Sequence, residues 1–235
     1  MKRFWQDAST APGDGGFQIL LDGKPMRLPG GGTLALPTAP LARAVAAEWQ
    51  AAGGGVGGET SFDQLPLTRI AGTGQQRIAP DPEPVVLQLA RYGESDLLCY
   101  RATGPAALVQ RQHEGWQPWL DWAERRHGAR LRVTAGITHV PQAPDALALL
   151  AAAVAAHPPL GLAALGVAVP ALGSLVLALA LADAALTPAE AHALSILDEL
   201  FQQEQWGTDA EALDRRRKVA DDIEAAGRLL DLLRQ

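Results

Sequence analysis

Apolar and polar positions follow one pattern near the start of the chain and another over the rest. Residues 17–37, "FQILLDGKPMRLPGGGTLALP", read as short strands: an apolar run, a turn at Asp22-Gly23, a return through Met26 and Leu28, a Gly-rich loop and a last extended piece, "LAL". A helix follows over "TAPLARAVAAEWQAA". Thr38 is placed to cap it, Pro40 lies early in it, and Leu41, Val45, Ala46 and Trp49 share one face. "GGGVGG" ends that helix, and "TSFDQLPLTRIAGT" is expected to be extended and to add to the sheet. "PDPEP" at residues 80–84 suits neither a helix nor a central strand, so it marks a boundary. The expectation is a β-rich domain with one helix over 1–80 and an all-helical domain over 81–235.

Beyond that boundary the period is helical. "PAALVQRQHEGWQPWLDWAERRHG" carries Trp116, Trp119 and Trp122 within one broad face, expected to be core. After an extended link, "RLRVTAGITHVPQ", comes the helical "PDALALLAAAVAAH". "TPAEAHALSILDELFQQEQWG" has Thr187 and Pro188 in N-cap and N1 positions, Glu190 three residues after the cap, and a stop at Gly207. The last helix places Val219, Ile223, Ala226, Leu230 and Leu233 on one side. About six helices are expected in a compact bundle.

Residues 160–182 carry no charge and are numerous enough to cross a bilayer, for which about 20 apolar residues suffice. They lack what would orient a spanning helix, because there is no Lys or Arg anywhere in residues 133–214. Pro170, with Gly166 and Gly173 around it, predicts a break into two helices too short to span. A buried helical hairpin is therefore expected, with no membrane insertion.

Composition supports a globular chain: 48% hydrophobic and 20% charged are ordinary values. Aromatics are only 5%, so Leu, Ala and Val must do most of the packing. No secretory or transit signal is visible in "MKRFWQDAS", and a cytosolic location follows as the default. The single cysteine, Cys99, reads as a small buried hydrophobe. Residues 133–214 carry nine carboxylates and no cation, an acidic block that disfavours nucleic acid. Such a block suits a basic partner or is simply a solvated face.

Catalytic chemistry is nearly absent. There is no G-x-S-x-G, no G-x-x-x-x-G-K and no G-x-G-x-x-G after a strand. His113, His127, His139, His157 and His192 show no metal-ligand spacing, so neither a metal nor another cofactor is expected. Carboxylates such as Asp198 and Glu199 are adjacent on a helix and point apart, which makes them poor acid/base partners. A non-enzyme is expected; the alternative is an enzyme or ligand-binding protein with a pocket between the two domains, using His113 or Glu114. One residue breaks its local rule: Glu204 falls three, four and seven positions after Phe201, Leu200 and Leu197, on their apolar stripe. It needs an Arg partner from the N-terminal half, exposure at the helix end, or another protein to touch.

Eight stretches now point to a family. "KRFW", "LLDGKPMRLP", "LARAVAAEWQA", "QLPLTRIAGT", "ARYGESDLLCYRA", "LVQRQHEGWQPWLDWAERRHGARL", "GSLVLALALADAALT" and "LDELFQQEQWGTD" occur in an order that resembles the Atp12 family over nearly the whole chain. Its members are chaperones that assist assembly of the soluble head of ATP synthase. The resemblance implies an α+β fold, with a β-rich N-terminal domain followed by an orthogonal helical bundle. It also implies a monomer that binds the unassembled α subunit transiently and shields its β-facing surface, in the bacterial cytoplasm or, for eukaryotic members, the mitochondrial matrix. Its important glutamate falls on Glu199 or Glu204 here, and the stripe argument favours Glu204. Asp198, Trp206 and Asp209 complete the matching motif.

Overall fold

The computed structural model describes residues 2–207 and 210–235. Strand β1 (Ala8–Gly13) pairs antiparallel with β2 (Gly16–Leu21), Ala8 opposite Leu21, and β3 (Lys24–Pro25) lies on the other side of β2. The β2–β3 turn has positive φ at both Asp22 (48°) and Gly23 (75°), as a tight hairpin turn requires. Asp22 holds that conformation by accepting from the N–H groups of Gln6 and Asp7, each at 2.9 Å. The "LAL" piece touches the sheet through a bridge between Leu36 and Phe17.

Helix α1 (Ala39–Ala51) forms as its sequence requires, with Thr38 Oγ1 accepting from the Leu41 N–H at 3.3 Å. The same hydroxyl donates to the Leu232 carbonyl at 2.6 Å, near the other end of the chain. The far end of α1 is closed by Arg3. Its buried guanidinium donates to the carbonyls of Trp5, Gln6, Gln50 and Ala52, where the negative end of the helix favours a cation.

Residues 66–73 differ from expectation: they form helix α2 (Pro66–Thr73), not a strand. The reason lies 19 positions back. The Glu48 carboxylate on α1 accepts from the N–H groups of Leu67 and Thr68, at 2.7 and 3.0 Å, and so satisfies the first turn from a neighbouring helix. Burial pushes the Glu48 carboxyl above its ordinary range, and those hydrogen bonds pull it back. A wide π-helical turn (Gly74–Ile78) continues α2 and packs against the start of α6 (Pro159–Leu172). A Cβ on Gly74 would lie 2.9 Å from Leu160 Cα, so Gly74→Ala forces backbone apart. The expected loss is about 1–3 kcal/mol, read as a lower urea midpoint at unchanged slope.

Between these lie α3 (Glu83–Ala90), β4 (Tyr100–Arg101), α4 (Ala106–His127), β5 (Thr134–Ala135), parallel to β4, and α5 (Pro144–Ala155). Trp116 on α4 is fully buried, whereas Trp119 and Trp122 are half-buried. After α6 come α7 (Leu175–Ala182), α8 (Pro188–Ser195), α9 (Leu197–Trp206) and α10 (Ala210–Arg234). The α6–α7 hairpin is the centre of the core, with every residue of α7 buried. Its break falls at Gly173 (φ 61°) and Ser174 rather than at Pro170, which stays inside α6. The Asp96 carboxylate, itself buried, secures the break: it accepts from Ser174 Oγ at 2.8 Å and from the N–H groups of Val176 and Leu98 at 3.0 and 3.1 Å. Cys99 is buried beside it, and burial together with the Asp96 charge pushes its thiol up to about 12. No helix among the described residues is long and apolar enough to cross a membrane.

Thr187 and Glu190 form the expected capping box at α8, but the segment read as one helix bends at Ile196 into α8 and α9. With that bend, the described residues of 81–235 hold eight α-helices where about six were expected. The chain is an α+β protein with a small N-terminal sheet. Helix α10 lies along α6 and also meets α8, α2, α7 and α1, bringing the last helix against the first.

Candidate functional site

Helix α9 rests on the first half of α4, where two side chains of α4 hold it and a third holds the end of α8 just before it. Trp116 Nε1 donates to the Leu194 carbonyl at 2.9 Å, just before the bend. One turn earlier, buried Gln112 donates from Nε2 to the Asp198 carboxylate at 2.7 Å, while its Oε1 accepts from the Ala102 N–H at 2.7 Å. One residue earlier again, Arg111 meets Glu204 in a two-pronged ion pair at 2.7 and 2.9 Å. Its guanidinium lies 5.2 Å from the ring centre of Phe201, a buried residue of α9. Arg101 completes the support, donating to the carbonyls of Leu98 and Gln112 at 2.8 and 2.9 Å and stacking over Trp116.

Glu204 is therefore not a buried charge on an apolar stripe. Leu197 and Phe201 are buried, Leu200 is half-buried, and the last turn of α9 leaves the body of the protein, so Glu204 is 52% exposed. Of the alternatives open in sequence, two are found together: an Arg partner from the first half of the chain and exposure at the end of the helix. Hydrogen bonding from Arg111 holds the Glu204 carboxyl below its ordinary range, and it is ionised at neutral pH. Glu199 faces the other way, toward α10, where Arg216 Nε lies 2.9 Å from its carboxylate and Arg215 lies 3.7 Å away. Arg216 also donates to Gln203.

The structure thus brings Asp198 and Glu204 together on the α4 side of α9 and sends Glu199 to the α10 side. Trp206 ends the helix with 80% of its surface exposed, and Asp209 lies outside the described residues. Gln112, Arg111 and Arg216 are the residues that pattern reading missed. Gln112 carried a detectable signal, a polar residue four positions before Trp116 on the buried side of α4.

The described carboxylates of this cluster, Asp198, Glu199 and Glu204, are each engaged by a cation or an amide. His113 and Glu114 are exposed on α4. His192, near Arg216 and Glu199, has a buried Nε2 without a hydrogen-bond partner, and burial holds the ring below its ordinary pKa. Among the described residues no group of three or more His, Cys, Asp or Glu side chains could hold a metal ion.

Residues 2–124 match the family described as ATP12 chaperone protein. Atp12 from Paracoccus denitrificans is 42% identical and superimposes with a TM-score of 0.91 over 99% of this chain and 98% of its own. A point mutant of Atp12p from P. denitrificans gives 41% identity, a TM-score of 0.91, and coverage of 99% and 97%. The Atu1473 protein of Agrobacterium tumefaciens is 42% identical, with a TM-score of 0.92 over 99% of this chain and 86% of its own. With a small sheet leading into a helical body, an acidic helix clamped on α4, and these likenesses in sequence and shape, the chain belongs to the ATP12 family of chaperone proteins.

Proposed function

We propose that this protein is an assembly chaperone for the soluble head of the proton-transporting ATP synthase, and that it holds the unassembled α subunit through the exposed end of α9. An unassembled subunit exposes apolar interface that would otherwise drive aggregation. Covering that β-facing surface with moderate affinity protects the subunit and still lets the larger native interface displace the chaperone. The observation that carries this reading is Trp206, a large aromatic left open to solvent beside carboxylates whose positions are fixed by α4 and α10. Rigid, exposed aromatics next to oriented charges are the usual anchors of a protein interface. Asp198, Glu199, Glu204 and Trp206, with Asp209, are the proposed contact residues.

The test is co-purification of the tagged full chain with separately expressed α and β subunits, comparing wild type with Glu204→Ala and Glu199→Ala. Retention of α alone, reduced at least fivefold by Glu204→Ala with the unfolding midpoint nearly unmoved, is the expected result. Retention of neither subunit at low salt would refute the assignment.

A further inference from the structure

A trough lies between α2 with its π-helical extension, α3 and α6. It consists of two hollows of about 340 and 330 Å³ that share Thr73 and Arg77. One hollow is lined by Leu28, Pro29 and Phe62, the last 43% exposed. The other is lined by Ile78, Val85, Leu89, Val167 and Pro170, with the exposed Gly166 beside them. Thr73 and Arg77, four residues apart, share one helix face and so meet at the same opening where α2 passes into its π-helical turn, and such turns recur at functional sites. A Cβ on Gly166 would meet nothing within 4 Å, so the second hollow has room there for a larger side chain.

The charges decide what fits. Arg69, on the rim of the first hollow, is already flanked by Asp63 and Asp222 at 3.5 Å each. Arg77 has no ion-pair partner among the described residues. An unpaired guanidinium between two apolar hollows complements a carboxylate with apolar side chains before and after it. A small molecule would fill one hollow and ignore the other, whereas a chain segment crosses both. We infer that the trough is a second client-binding site, taking a segment of the α subunit in which one acidic residue is flanked by apolar ones. This inference rests on the function proposed above.

Two variants of the full chain separate the possibilities: Gly166→Leu narrows the second hollow, and Arg77→Glu reverses the charge where the two hollows meet. Both positions have room, and thermal unfolding checks that both proteins fold. The probe is a fluorescein-labelled dodecapeptide with Leu-Val-Glu-Leu-Val at its centre, beside its counterpart with Lys for Glu. The expected result is about tenfold preference for the Glu peptide, reversed by Arg77→Glu, and loss of both peptides with Gly166→Leu. Retention of the α subunit should also fall about tenfold with each variant. Absence of peptide binding, or full retention of α by both variants, overturns the inference and leaves the proposed function standing. Peptide binding without α retention by wild type supports the peptide site and refutes the function. Concentration-dependent dimers abolished by Gly166→Leu would assign the trough to a second copy and overturn the inference as well.

Discussion

Replacing Asp96 by Ala is expected to cost about 3–5 kcal/mol, enough to threaten folding at physiological temperature. The carboxylate is fully buried and takes three donors at once: the Ser174 hydroxyl and the N–H groups of Leu98 and Val176. Truncation leaves all three without acceptors in a site that water does not reach. It also releases the start of α7, whose eight residues are all buried, from the segment leading to β4. Urea unfolding of Asp96→Ala and Asp96→Asn measures this. The amide retains an acceptor but turns N–H groups toward donors, so an intermediate loss is expected. A loss below about 1 kcal/mol for Asp96→Ala would show that the three donors find other partners.

Gln112→Met should cost about 2–3 kcal/mol and, unlike a simple core defect, should also weaken retention of the partner. Methionine matches the reach of glutamine but neither accepts from Ala102 nor donates to Asp198. Among the described residues, helix α9 then keeps only the exposed Arg111–Glu204 pair as a polar attachment to α4, while Trp116 still holds the end of α8. Urea unfolding reports the first effect and co-purification with the α subunit the second. Full retention by the destabilised variant would separate α9 docking from recognition.

Elements whose signals are local were legible in the sequence. Helix α1 has its own N-cap and a single apolar face, and α8 has both halves of its capping box within four residues. Strand β1, "ASTAPG", has no apolar alternation and exists because β2 pairs with it. Helix α2 reads as extended in sequence because its cap comes from Glu48, on another helix. The site divides in the same way. Its carboxylates and Trp206 stand within one short motif, but their orientation depends on Arg216, 17 positions from Glu199, and on Arg111, 93 positions from Glu204. Periodicity alone puts Glu204 on the stripe of Leu197 and Phe201, because it continues a helix face indefinitely, whereas the protein body ends near Phe201 and leaves Glu204 exposed.

The hydroxyl of Thr38 reaching the carbonyl of Leu232 has a consequence during synthesis. Helix α10 covers α6, so α6 cannot be shielded until α10 has been translated. At about 5–20 residues per second, roughly 3–12 s separate completion of α6 from completion of α10. For that interval the apolar face of α6 that packs on α10 stays uncovered in the nascent chain, so the last helix, not the first, completes the core.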